Sequence, residues 1–115
     1  MSYSSRKRKK RLSQDKIHIE KAKKDIKEFE TLYKLYHGKI LSFCYQRVAD
    51  KQTAEDICSL VFLKAMRNIK KYEHKGYSFG SWLYRIALNE LNTFYRKNKK
   101  IIKVDEGFLH SFSEE

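Results

Sequence analysis

The sequence predicts an all-α fold, a compact domain of three helices with room for a short fourth. Three segments place apolar residues at i, i+3, i+4 and i+7, the spacing that gathers them on one face of a helix. No segment shows the alternation of apolar and polar residues that is typical of strands, and the chain contains no proline. With 115 residues, 41% of them hydrophobic, we expect one domain with tails.

Residues 1–24 precede the first predicted helix and carry most of the positive charge. They hold ten basic and two acidic residues, a net charge of +8 out of +12 for the chain. Because densely packed like charges repel each other, we expect a basic, disordered N-terminal tail. Two interpretations of this tail remain open: a solvated extension, or an arm that binds phosphate groups without sequence preference.

Residues 25–100 contain the three predicted helices and form the expected domain. The first helix runs from Asp25 to Val48 and tolerates Gly38, which costs a helix up to about 1 kcal/mol relative to alanine. A second helix runs from Lys51 to about Lys71, and Asp50 is placed to cap it.

The segment from Tyr72 to Tyr77 breaks the helical period and is predicted to be a loop. A third helix follows from Ser78 to Lys100, with Ser78 or Ser81 as its N-cap and basic residues at its C-terminal end, where the helix dipole favours cations. Residues 101–115 show no sustained periodicity and are expected to be a linker or tail.

The composition argues against metal, membrane and redox functions. Cys44 and Cys58 each lie among apolar residues at helical spacing, so we expect buried, reduced thiols. The four histidines are scattered and no Cys/His cluster has ligand spacing, so no metal site is expected. No apolar run approaches the roughly 20 residues needed to span a bilayer, and we expect a cytoplasmic protein without membrane insertion.

An enzyme is not expected either. Glu55 and Asp56 are adjacent, so on a helix they project about 100° apart and do not converge on a substrate. No pair of nucleophile and base is recognisable, and no glycine-rich loop suits a nucleotide phosphate. We therefore expect no catalytic residues, no cofactor and no small-molecule substrate. The excess positive charge favours an acidic partner, such as nucleic acid.

Two motifs carry a resemblance to a known family. The predicted second helix contains AED followed by VFLKA, and the third contains SFGSWLYRIALN, which fits the pattern SFxxWLYRIAxN. In this order and at this separation, they resemble region 2 of bacterial sigma factors of the extracytoplasmic-function (ECF) group in the sigma-70 family. The resemblance extends from Phe29 to about Lys100. It implies a helical domain that joins core RNA polymerase and opens and reads the promoter −10 element.

The resemblance also implies a polymerase-binding surface on the second helix, which in this family meets the clamp helices of the largest polymerase subunit. Asp56 matches the acidic residue of the family. Ser59 and Leu60 stand where the family usually has glutamine followed by an acid, which removes polar contacts. The predicted polymerase-binding residues are Asp56, Ser59, Leu60 and Leu63.

In this family the loop before the third helix captures a base of the non-template strand, and a flipped base needs an aromatic wall. Tyr72, His74 and Tyr77 can form such a wall. Alternatively, Tyr72 or Phe79 seals the core beneath the loop, and Trp82 can stack on a base or pack inside. Asn89 matches the family, whereas Thr93 stands where an aspartate is common, so a base preference does not transfer. The predicted DNA-binding residues are Lys70, Lys71, Tyr72, His74, Lys75, Tyr77, Phe79, Trp82, Arg85, Asn89, Asn92, Arg96 and Lys97.

A complete sigma factor of this group also has region 4, which reads the −35 element, and the sequence does not provide it. The chain is then expected to be a fragment, or the region-2-only subunit of a split sigma factor, and an anti-sigma factor is a further expected partner. Two other functions remain open. One is an interaction adaptor that keeps the fold without reading DNA, and the other is a basic helical protein that binds nucleic acid without sequence preference.

Overall fold

The computed structural model describes residues 15–73 and 77–97, and all regular structure in them is helical. This confirms the all-α prediction. The short fourth helix that the prediction allowed for lies at the N-terminal side. The helices are α1 (15–24), α2 (Phe29–Val48), α3 (Lys51–Asn68) and α4 (Phe79–Lys97), with 3-10 turns at Ile26–Glu28 and Ile69–Lys71.

Helix α1 corrects the expectation of a disordered tail through residue 24. Its Ile19 and Ala22 are buried in the hydrophobic core, and Asp15 is also buried. These three residues have the spacing i, i+4 and i+7, which places them on one helical face. Burial of this face against the other helices outweighs the repulsion between the charges on the solvent side. The remainder of the predicted tail, residues 1–14, lies outside the described residues.

Helices α2 and α3 form an antiparallel pair joined by two residues, and this pair was predicted at the same place. Ala49 ends α2 in the left-handed conformation with φ 55°, and its amide donates to the carbonyl of Tyr45. Asp50 then caps α3, because its carboxylate accepts a hydrogen bond of 2.9 Å from the amide of Thr53. This hydrogen bond and one from the Thr53 hydroxyl hold the pKa of Asp50 below its usual range.

Helix α4 packs against both members of this pair. It begins with a side-chain cap, since the Ser78 hydroxyl accepts a 3.0 Å hydrogen bond from the amide of Ser81. Its C-terminal half is attached to the end of α2, where the Tyr95 hydroxyl donates to the carbonyl of Arg47. The helix is described as far as Lys97; its predicted end at Lys100 and the rest of residues 98–115 lie outside the described part.

The core lies where α2, α3 and α4 meet. Both cysteines are within it as free thiols, as predicted, and burial raises the pKa of Cys44 to about 12 and that of Cys58 to about 11. The fully buried aliphatic side chains come from all three helices and the turn after α3. They are Leu32, Ile40, Val61, Ile69, Leu83 and Leu91.

Candidate nucleic-acid interface

The structure places Tyr72 and Phe79, two predicted DNA contacts, inside the core. They are 4% and 1% exposed, and their rings meet edge to face at 5.6 Å between centroids. Burial, with a smaller effect of the nearby Asp15 carboxylate, raises the pKa of Tyr72 to about 12. Protein covers the faces of both rings, which is the alternative that the sequence left open for Tyr72 and Phe79. They seal the core beneath the loop.

Trp82 lies at the edge of this aromatic cluster. Its ring centroid is 5.2 Å from that of Tyr72 and 5.5 Å from that of Phe79, and the side chain is half-buried. One part of the indole therefore packs on the core while another part reaches the surface. The two interpretations of Trp82, packing and stacking, are compatible in this position.

Tyr77, just before α4, and Arg85, in its N-terminal half, form a cation–ring pair in which the tyrosine is exposed and the arginine is half-buried. Tyr77 is 51% exposed, and the guanidinium carbon of Arg85 lies 5.2 Å from the centroid of its ring. The Tyr77 carbonyl accepts a 2.9 Å hydrogen bond from the Tyr72 hydroxyl, which holds this end of the loop against the core. An aromatic face beside a cation provides both stacking and phosphate attraction, which suits a single-stranded nucleic acid.

Further along α4, the polar side chains point to solvent in register. Asn89 is exposed, and the Thr93 hydroxyl donates a 2.9 Å hydrogen bond to its backbone carbonyl. Arg96 reaches back to this hydroxyl at 3.3 Å. Because the Asn89 side chain is exposed, its amide group is accessible to a ligand.

Asn92 does not share this arrangement. Its side chain is half-buried, and its carbonyl oxygen Oδ1 is buried without a hydrogen-bond partner among the described residues. Asn92 therefore does not present this oxygen on the outward face that it was predicted to share with Asn89.

The four remaining basic candidates that are described are exposed, whereas His74 and Lys75 lie outside the described residues. The exposed ones are Lys70, Lys71, Arg96 and Lys97.

A groove of about 310 Å³ lies between α3 and α4, and three of the predicted DNA-binding residues line it, namely Lys71, Trp82 and Asn89. Trp82 and Ile86 provide its apolar part, and Asn89 lies at the same side. Across the groove, the lining continues on α3 and the turn after it. The complete lining is Lys64, Asn68, Lys71, Trp82, Ile86, Asn89 and Glu90.

An ion pair joins the two walls of the groove. The Lys64 ammonium contacts the carboxylate of Glu90, whose side chain is only 9% exposed. On the α3 side of the groove, the amide nitrogen of Asn68 donates a 2.8 Å hydrogen bond to the Lys64 carbonyl. The groove thus offers an apolar floor, two amide groups and a basic rim at Lys71. Apolar or aromatic surface, hydrogen-bonding amides and a nearby cation are the features that binding of an unstacked base requires.

Sequence reasoning missed four of the lining residues, namely Lys64, Asn68, Ile86 and Glu90. The spacing of Lys64, Asn68 and Lys71, i, i+4 and i+7, would have indicated a polar stripe on the second helix. What faces that stripe depends on how α4 crosses α3, which no local pattern contains.

The predicted polymerase-binding residues lie together on the outward face of α3. Asp56 and Ser59 are exposed, Leu60 is 44% exposed and Leu63 is half-buried. Asp56 accepts a 2.9 Å hydrogen bond from the side-chain amide of Gln52, which orients its carboxylate along the helix surface. These four residues form one surface, hereafter the α3 patch, with a leucine at its centre.

In the described parts of the chain, no three histidine, cysteine or acidic side chains come together as a metal site. None of the described helices is both long enough and apolar enough to cross a membrane.

The family model for sigma-70 region 2 matches residues 32–101 of the sequence. The chain belongs to the sigma-70 region 2 family. Within this match lie most of α2, all of α3 and α4, and every residue of the groove and the α3 patch. Helix α1 lies before it.

The relatives of this region 2 chain include sigma factors of the ECF group, to which the sequence resemblance had pointed. It is 34% identical over 86 residues to the ECF RNA polymerase sigma factor BldN of Streptomyces coelicolor, covering 75% of this chain and 33% of the relative. It is 35% identical over 85 residues to the ECF RNA polymerase sigma factor SigW of Bacillus subtilis, covering 73% and 45%. The ECF RNA polymerase sigma factor SigM of Bacillus subtilis is 27% identical over 82 residues, covering 71% and 49%. The chain thus spans a third to a half of the curated relatives it matches.

Proposed function

We propose that this region 2 domain binds core RNA polymerase through the α3 patch and reads and melts the promoter −10 element with the surface of α4. It acts as a binding module rather than an enzyme, and melting is driven by capture of unstacked bases of the non-template strand. A polymerase partner implies that it works in the cytoplasm. The observation that carries the proposal is the groove between α3 and α4, which combines a partly exposed tryptophan, the Asn89 amide and a basic rim.

Each part of this surface has a distinct chemical task. The exposed part of Trp82 and the ring of Tyr77 offer aromatic surface for stacking, which is tolerant of base identity. The Asn89 amide carries both a donor and an acceptor, so it can distinguish the edges of bases. Arg96 and Lys97, at the exposed end of α4, suit phosphate groups, which position the strand without reading it.

Selection of single-stranded DNA from a random library, with the full 115-residue chain, tests the proposal. We expect a common sequence to be enriched, and the enriched strand to bind more tightly than its duplex. Binding should change the fluorescence of Trp82, the only tryptophan of the chain. Binding of every single strand with equal affinity, without enrichment, would contradict promoter reading and favour a protein that binds nucleic acid without sequence preference.

Two variants distinguish a residue that reads bases from one that only positions the strand through its phosphates. Asn89→Ala should lower the preference for the enriched strand about tenfold, since a base-specific pair of hydrogen bonds contributes about 1–3 kcal/mol. Arg96→Gln should weaken binding to all strands by the same factor and reduce its dependence on salt. Gln46→Ala, an exposed amide on α2 that does not line the groove, is the control and should change neither.

A second function is favoured by the α3 patch alone. Leu60 is 44% exposed at its centre, and an exposed leucine suits an apolar partner surface better than the polar one that the resemblance implies. An interaction adaptor that binds polymerase or an anti-sigma factor without reading DNA would have this feature. Such an adaptor should bind its protein partner normally and show no enrichment in the DNA selection.

A further inference from the structure

Helix α1 touches the segment that leads into the proposed DNA-binding surface. The ammonium of Lys23 donates a 2.7 Å hydrogen bond to the backbone carbonyl of Tyr72, 49 residues away in the sequence. The Lys23 side chain is only 24% exposed, and the carboxylate of Glu20 is more distant from its ammonium, at 3.9 Å. The lysine is therefore directed inward to this carbonyl rather than to solvent.

Tyr72 is the residue at which the chain leaves the 3-10 turn after α3. Its amide donates to the Ile69 carbonyl at 3.1 Å, and its ring packs against those of Phe79 and Trp82. Its hydroxyl donates to the Tyr77 carbonyl at 2.9 Å. The position of Tyr72 thus determines where Tyr77 and Trp82 lie, and these are the two stacking residues of the proposed surface.

A second contact attaches the start of α1 to the same cluster. The Tyr36 hydroxyl donates to the buried carboxyl group of Asp15, and the Tyr36 ring meets the Phe79 ring edge to face at 5.5 Å. Asp15 is also close enough to contribute to the raised pKa of Tyr72. Both ends of α1 are therefore bound to the residues around the head of α4.

We propose that α1 is a brace for the two stacking residues Tyr77 and Trp82 and that Lys23 is a positioning residue for base recognition, although it touches no DNA itself. This inference rests on the proposed function, and it assigns a role to a helix that precedes the region matched by the family model, residues 32–101. A charged donor on the Tyr72 carbonyl fixes the backbone where the chain leaves the 3-10 turn after α3. Because a hydrogen bond to a charged group is stronger than one between neutral groups, its loss should free this backbone.

The test compares three variants of the full chain on the strand enriched by the native protein and on a scrambled strand of the same length. Lys23→Met removes the donor and one charge. Lys21→Met removes one charge from an exposed position of the same helix, and so matches the lost attraction to phosphate. Lys23→Arg keeps both the charge and a donor. We expect Lys23→Met to lower the ratio of the two affinities about three- to tenfold, Lys21→Met to leave the ratio unchanged, and Lys23→Arg to restore most of it.

Hydrogen exchange of the Tyr72 amide gives a readout that does not depend on DNA. In Lys23→Met this amide should exchange at least about threefold faster than in Lys21→Met, whereas amides in the middle of α3 should be unchanged. If Lys23→Met keeps both the native affinity ratio and the native exchange rate, the brace is overturned while promoter reading stands. If the native chain itself does not discriminate between the strands, promoter reading fails and this inference fails with it.

Discussion

The hydroxyl of Tyr36 donates a hydrogen bond to the carboxyl group of Asp15, and this buried contact joins α1 to α2. It lies against the first turn of α4, where Phe79 packs on the Tyr36 ring. Three helices that are separate in the sequence thus meet at one tyrosine.

Replacement of Tyr36 by phenylalanine should lower the free energy of unfolding by about 1–3 kcal/mol. The ring remains in place, but a buried carboxyl group loses a donor, and the loss of a buried hydrogen-bond partner has a cost of this size. Urea denaturation measures the change. Tyr45→Phe, which removes a hydroxyl from a 49% exposed side chain, should stay within about 0.5 kcal/mol of the native protein. Equal losses in the two variants would show that the contact contributes nothing.

Two glycine-to-alanine substitutions should have opposite effects on stability. At Gly38, in the middle of α2, an added methyl group meets no atom within 4 Å, so alanine should stabilise the protein by roughly 0.5–1 kcal/mol through the lower backbone entropy of the unfolded chain.

At Gly80, in the first turn of α4, the methyl group would lie 3.2 Å from Cε1 of Tyr36. That ring is held by Asp15 and Phe79 and has little room to move, so Gly80→Ala should destabilise the protein by about 1 kcal/mol. Thermal denaturation of both variants tests the pair. A rise in Tm for both would mean that the Tyr36 ring adjusts freely.

The two buried thiols should resist alkylation in the folded protein. Burial raises the pKa of Cys44, with a further contribution from Cys58, to about 12, and burial raises that of Cys58 to about 11. The reactive thiolate is therefore scarce near neutral pH. Iodoacetamide at about pH 8 should modify neither cysteine in buffer and both in concentrated urea. Rapid modification of either thiol in buffer would contradict their burial.

The same thiols should make the protein less stable in alkali. In the unfolded chain they ionise around their ordinary pKa of 9.0, whereas in the folded protein they keep their protons up to about pH 11 or 12. Between these values the unfolded state binds fewer protons, so stability falls as pH rises; below pH 9 the contribution is fully present. The urea concentration at the unfolding midpoint should therefore fall from about pH 8 to pH 9 and again to pH 10. The midpoint of the double variant Cys44→Ala, Cys58→Ala should fall less over the same pH range. An equal fall would show that groups other than these thiols cause the effect.

Charge on the α3 patch should control capture by polymerase. Asp56→Asn should weaken binding to the isolated clamp helices, because it removes the acidic group that matches the family. Leu60→Glu should strengthen binding, since it restores an acid where the family usually has one. Both side chains are exposed, so the fold should be retained. Tyr45→Glu, at an exposed position of α2, is the control for added charge. Weaker capture by Leu60→Glu would favour the adaptor with an apolar partner.

The amino-acid sequence by itself determined the three main helices and their caps. The periodicity of apolar residues in α2, α3 and α4 reflects burial on one face, and Asp50 and Ser78 act on amides only three residues away. Such local signals are complete within a short window of sequence. The family motifs, Asp56 and Asn89 among them, also lie within single helices and were recognisable without the structure.

Only the tertiary structure decided which aromatic residues are available to a ligand and that residues 15–24 form a helix packed on the core. Tyr72, Phe79 and Trp82 look alike in the sequence, but only Trp82 lies at the edge of the core, because exposure depends on how α4 crosses α3. In the sequence, α1 resembles a charged tail, because the surface on which Ile19 and Ala22 are buried exists only after the other helices have packed. Its contacts from Asp15 to Tyr36 and from Lys23 to Tyr72 span 21 and 49 residues. Contacts over such separations form only when the packed helices bring the partners together, so they leave no periodic trace in the sequence.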